Sequence, residues 1–138
     1  MSSAGIATVL AVAGLVGCSR SPREEARRAL ESLHSWTAST RMVGERWLQR
    51  AVPDRYVGEA LKFFGKRMRE ERSRIASGTL PADVRTYLLS GFDSTALATD
   101  SLLMAVERGE RGAAARIVSG LAARARSADS VMAHIGGT

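Results

Sequence analysis

The sequence predicts an all-α fold: an antiparallel up-down four-helix bundle whose third helix is kinked or broken near Gly91. Apolar residues recur every three or four positions along four long stretches, the period of a helix with one buried face. No stretch alternates with period two, so no sheet is expected. The joins are short and marked by Pro or Gly, which makes consecutive helices antiparallel neighbours.

The first helix follows the polar tether Ser19-Arg20-Ser21-Pro22. Ser21 is suited to cap it and Pro22 to open it, with Glu24 and Glu25 in its first turn. Its stripe is Ala26, Leu30, Leu33, Trp36, Thr40, Val43, Trp47 and Ala51, and Pro53 stops it. Asp54 is placed to cap the second helix, whose stripe is Val57, Leu61, Phe64, Met68 and Ile75. Gly78 suits its end and Pro81 the start of the third.

The third stripe is Val84, Leu88, Phe92, Thr95, Thr99, Leu102 and Val106. Gly91 and Asp93 interrupt it, and Asp93 is placed to cap a fresh helix there. The hydroxyls Thr95, Thr99 and Ser101 either line a small cavity or bond to carbonyls of the preceding turn. Gly109 and Gly112 mark the last turn. The fourth stripe is Ala114, Ile117, Leu121, Ala125, Ala128 and Met132, and its many alanines allow close approach to a neighbour.

The N-terminus reads differently. Ala4–Val16 is an unbroken apolar run of 13 residues, short of the roughly 20 a spanning helix needs and within the roughly 7–15 of a signal's apolar region. It ends in Leu15-Val16-Gly17-Cys18, which resembles the lipobox of bacterial lipoproteins. The resemblance implies cleavage before Cys18 and transfer of a diacylglycerol to its thiol. The freed amine can then take a third acyl chain. Each buried methylene contributes about 0.8 kcal/mol, so two or three chains make a stable anchor. Ser19, where aspartate favours inner-membrane retention, implies the periplasmic face of the outer membrane in a Gram-negative envelope. The competing reading is an uncleaved helix with an incidental cysteine. Met1-Ser2-Ser3 lacks the usual Lys or Arg, and arginines follow the run instead. An uncleaved segment would therefore keep its C-terminal side in the cytoplasm. A start further upstream would supply the missing basic residues. The expected organisation is a signal peptide over 1–17, a lipidated cysteine and tether over 18–22, and one bundle domain over 23–135.

The chain holds 20 basic and 14 acidic residues, for a net charge of +6. Its one cysteine excludes an intrachain disulfide. Basic residues concentrate in the second helix, where Lys62, Lys66, Arg67, Arg69, Arg72 and Arg74 stand against Glu70 and Glu71. Lys62, Lys66 and Arg69 fall on one face. They form a candidate patch for anionic lipid headgroups or another envelope polyanion. The alternative is a solvated face held by pairs such as Arg67–Glu71 and Glu70–Arg74.

Other chemistry finds little material. Glu31-x-x-His34 is the half-motif of di-metal bundles, but the other histidine, His134, has Val131 three residues before it. No metal or cofactor is expected, and no haem-attachment, phosphate-loop or nucleophile-elbow motif is present. No nucleic-acid recognition motif occurs, so nucleic acid is not an expected partner. Trp36 and Trp47 face one side, three turns apart. They and Phe63 and Phe64 are core residues or line an apolar groove for a partner helix or acyl chain. The reading that results is a lipid-anchored interaction or structural module of the bacterial envelope. It would touch the membrane through its anchor and a protein or anionic envelope polymer through its surface. The alternatives are a bundle binding a small apolar ligand and, behind it, an enzyme.

Overall fold

The computed structural model describes residues 21–136, with side chains to residue 127. Cys18, Ala128, Met132 and His134 therefore lie outside the described residues or side chains. The chain forms α1 (Pro22–Leu48), α2 (Asp54–Ser77), α3 (Ala82–Arg108) and α4 (Arg111–Gly136), with no strand among the described residues.

Cross-helix contacts give the directions. Lys62 meets Glu107, Arg69 meets Asp100 and Arg72 meets Asp93, so α2 and α3 run antiparallel. Thr37 meets Thr95 and Thr40 meets Thr99, so α1 and α3 run parallel across the bundle. Arg111 at the start of α4 reaches the carbonyls that end α1, so these two are antiparallel. The up-down-up-down bundle is thus the observed fold. Among the described residues no Cα of α2 comes within 8 Å of one of α4, whereas those of the other diagonal pair, α1 and α3, do.

Small residues permit that closed diagonal. A Cβ on Gly91 would lie 2.5 Å from Leu33 Cδ2. On Gly44 it would lie 2.6 Å from Val118 Cγ2 and 3.0 Å from Leu102 Cδ2. The expected break at Gly91 is therefore corrected: α3 is continuous through it, and the glycine serves helix packing. Asp93 does not cap a new helix but pairs with Arg72 on α2. Asp54 is corrected likewise. Pro53 holds the cap position, and Asp54 Oδ1 accepts the indole N–H of Trp47 at 2.6 Å. The Ser21 cap is as expected, its Oγ accepting from Glu24 N at 3.2 Å.

α1 and α3 end alike. After α1 the amide of Arg50 donates to Trp47 O and that of Ala51 to Arg46 O. After α3 the amides of Gly109 and Glu110 donate to Val106 O and Ala105 O. This is the Schellman geometry, which needs a left-handed residue. Gly109 takes it at φ 68° without a Cβ penalty, whereas Arg50 takes it at φ 58° with one. The Arg111 guanidinium bonds to the carbonyls of Trp47 and Leu48 and stacks 4.7 Å over the Trp47 ring, which ties this strained end down.

The core is in two apolar clusters. One surrounds Trp47, Val57, Leu61, Leu102 and Val106, and the other Leu30, Leu33, Met68, Leu88 and Phe92. Between them lie four buried threonines. Thr37 Oγ1 donates to Leu33 O at 2.8 Å and Thr99 Oγ1 to Thr95 O at 2.9 Å. Each hydroxyl has one proton, so Thr95 must donate to Thr37 at 3.3 Å and Thr40 to Thr99 at 3.1 Å. This layer fixes the register of α1 on α3. Thr99→Val strands the Thr40 hydroxyl and is expected to cost about 1–3 kcal/mol. Adding Thr40→Val removes the stranded group and should recover about 1 kcal/mol of it. Urea denaturation of the four proteins tests this, and strictly additive losses would refute the coupling.

Candidate functional site

The candidate patch lies where the helix period places it. Lys62, Lys66 and Arg69 are exposed on the outer side of α2. Carboxylates accompany each of them. Lys62 Nζ is 3.5 Å from Glu59 and 4.0 Å from Glu107, Lys66 Nζ is 4.0 Å from Glu70, and Arg69 is 3.4 Å from Asp100. Arg72 grips Asp93 with two bonds of 2.5 and 3.0 Å. The expected pairs Arg67–Glu71 and Glu70–Arg74 are replaced. Glu70 takes Arg67 at 2.9 Å, and Glu71 accepts the indole N–H of Trp36 at 3.1 Å.

Five of the six cations between Lys62 and Arg74 thus lie within 4.0 Å of a carboxylate, drawn from Glu59, Glu70, Asp93, Asp100 and Glu107. This face is electrically balanced, and its cross-helix pairs form a seam between α2 and α3. Exposed pairs of this kind contribute about 0–1 kcal/mol each. The guanidinium of Arg72 holds the Asp93 carboxyl below the ordinary aspartate value, first through its hydrogen bonds and, after an opposing effect of desolvation, through its charge. Glu24 is lowered in the same way, first by the charge of Arg27 and then by hydrogen bonds from Arg28 and Arg27. Both displaced carboxylates belong to surface ion pairs.

The aromatic residues pack on one another. Trp36 lies 6.4 Å from Phe63 and 5.6 Å from Phe64, ring centre to ring centre, and closes the α1–α2 surface with them. Trp47 is buried, so the two tryptophans do share the α2-facing side of α1 while differing in exposure.

Two smaller concavities border α2, one of about 240 Å³ at Lys62 and Glu107 and one of about 230 Å³ at Glu71 and Arg74, and two larger ones lie along α3 and α4. One, of about 340 Å³, is lined by residues of α1, α3 and α4 that include His34, Thr37, Ser90, Gly91 and Ser127. The next, also about 340 Å³, lies between Leu97 and Ser101 of α3 and Arg116, Ile117 and Gly120 of α4. They share Ser94 and Arg124, whose guanidinium crosses between them to donate to the Ser94 carbonyl at 2.8 Å, so the two lie end to end along one groove bridged at Arg124. Neither is lined by a carboxylate. Thr95 and Ser101 line the groove while Thr99 bonds to a backbone carbonyl, so both expectations for these hydroxyls are met, at different residues. The signal for this groove in the sequence was the outer stripe of α3 beside an α4 whose charges from Arg111 to Ser127 are all arginine.

Among the described residues no group of three or more His, Cys, Asp or Glu is placed to hold a metal ion. No described helix is long and apolar enough to cross a membrane. Compared with protein-family models, curated proteins and solved structures, the chain has no match. Fold and site define it as an all-α four-helix bundle with an acid-free groove on one side.

Proposed function

We propose that this chain is a lipid-anchored interaction module of the bacterial envelope, held to the membrane through Cys18. The observation that carries the reading is the apolar run ending in Leu15-Val16-Gly17-Cys18, with the only cysteine at the position that would be acylated. The position of the fold supports it. The cap of α1 is Ser21, three residues after Cys18. An extended chain spans at most about 3.6 Å per residue, so the bundle would sit within about 11 Å of the acylated residue. Such a tether holds the domain at the lipid surface without inserting it. Ser19 favours the periplasmic face of an outer membrane where the envelope has one. The module works by contact with a protein or an anionic envelope polymer, and needs no cofactor for that. The balanced charge of the α2–α3 face favours a protein, because Lys62, Lys66 and Arg69 already have carboxylate neighbours.

The test is the intact mass of membrane-extracted protein beside a Cys18→Ala version. Loss of residues 1–17 with added acyl mass, abolished by the substitution, is the expected result. An uncleaved chain without acyl mass would overturn the reading and argue for a domain facing the cytoplasm.

A further inference from the structure

We infer that the groove between α3 and α4 docks an acidic amphipathic helix of a partner protein, packed as a fifth helix along the bundle. The inference deepens the interaction-module reading and is independent of lipid attachment. The α3 wall is Tyr87, Ser90, Ser94, Leu97 and Ser101, and the same outward stripe runs on to Met104 beyond the groove lining, without a charge over five turns. Leu97 is 68% exposed, Met104 48% and Tyr87 44%, the largest apolar side chains of α3 left in water. They repeat with a helix period over about 26 Å, a length another helix can follow.

The opposite wall selects the sign of the partner. Arg116 has no carboxylate within ion-pair distance among the described residues, and Arg124 reaches only a carbonyl. No acidic residue occurs between Arg111 and Ser127. The carboxylates on the other flank of α3, Asp93, Asp100 and Glu107, are turned to cations of α2. A second copy docking by a two-fold axis through this groove would set the arginines against their own images. An acyl chain would remain half in water, because the groove is open along its length. A helix with an apolar stripe flanked by Glu or Asp satisfies both walls.

Gly120 adds a separate indication. It lies inside α4 on the groove side, exposed, where glycine weakens a helix. A Cβ there would meet nothing of this chain within 4 Å, unlike Gly44 and Gly91, which are packed tightly by their own neighbours. Its missing side chain leaves this part of the groove open to the close approach of something from outside.

The experiment places a photo-crosslinking phenylalanine analogue at Leu97 in the full chain, expressed in its own host. The adduct is mapped by mass spectrometry. The expected adduct is on a protein segment with apolar residues at helical spacing and carboxylates beside them. Arg116→Glu with Arg124→Glu, or Gly120→Leu alone, should reduce it at least tenfold. Gly120→Ala should raise the Tm of the protein and yet weaken the adduct, which separates docking from folding. An adduct on lipid or on a second copy, no adduct, or one unchanged by these variants in folded protein would overturn the inference. Membrane fractionation of the same cells reads the anchor separately, so either idea can fail without the other.

Discussion

Replacing Trp47 with alanine is expected to lower folding stability by about 3–5 kcal/mol, the range for deleting a buried large aromatic side chain. The indole is 2% exposed and belongs to the larger apolar cluster, beside Val57, Leu61 and Ala114. It also organises one end of the bundle. Its N–H is held by Asp54 at the start of α2, and its face carries the Arg111 guanidinium from the start of α4. That guanidinium in turn bonds to the carbonyls of Trp47 and Leu48 at the end of α1. Loss of the ring leaves a cavity and frees the arginine that holds the strained Arg50 turn. Trp47→Phe keeps an aromatic face for Arg111 and surrenders the hydrogen bond to Asp54, so a smaller loss of about 1–2 kcal/mol is expected. Urea denaturation distinguishes the two. A Trp47→Ala loss no larger than that of Trp47→Phe would show that the end of the bundle does not depend on the ring's packing.

The fold was legible where burial is apolar. Leu61, Met68, Leu88, Phe92 and Leu102 recur at helical spacing, and all are buried. What failed was local grammar overridden by tertiary contact. Gly91 and Asp93 look like a break because glycine weakens helices and aspartate caps them. In the fold Leu33 occupies the space beside Gly91, and Arg72 holds Asp93. Both partners are distant in sequence. Thr37 was missed for a related reason. It is polar, and its burial depends on Thr95, 58 residues away. The site shows the same division. The cations of α2 are visible in order, but their neutralisation depends on the register of α3, which single-helix spacing does not contain. The groove was partly visible as arginines without acids from Arg111 to Ser127, yet only the arrangement of the helices shows that Arg116 and Arg124 face Leu97 and Ser101.

Phe92→Ala is expected to cost a further about 3–5 kcal/mol, through the other cluster. Phe92 is 1% exposed and heads the largest fully buried side chains, with Leu30, Leu33, Met68 and Leu88 in its cluster. Gly91 next to it already admits Leu33 at close range, so the backbones cannot collapse much further to fill the vacancy. The two aromatic sites are well separated. Leu33, which shares the Phe92 cluster, lies 14 positions from Trp47 on α1, or about 21 Å along a helix. Losses at that distance should add within about 0.5 kcal/mol. A domain of this size has about 6–17 kcal/mol in all, so Trp47→Ala with Phe92→Ala removes most or all of it. The threonine layer between the clusters makes the shape of the transition informative. α1, α2 and α3 each contribute to both clusters without interruption, so neither half can melt and leave the other's helices intact. Each single variant should therefore shift one cooperative transition, seen alike by tryptophan fluorescence and far-ultraviolet circular dichroism. If Phe92→Ala instead splits the curve in two, with the Trp47 signal, read in a Trp36→Phe background, melting later, the threonine layer is a boundary between two folding units rather than a register within one.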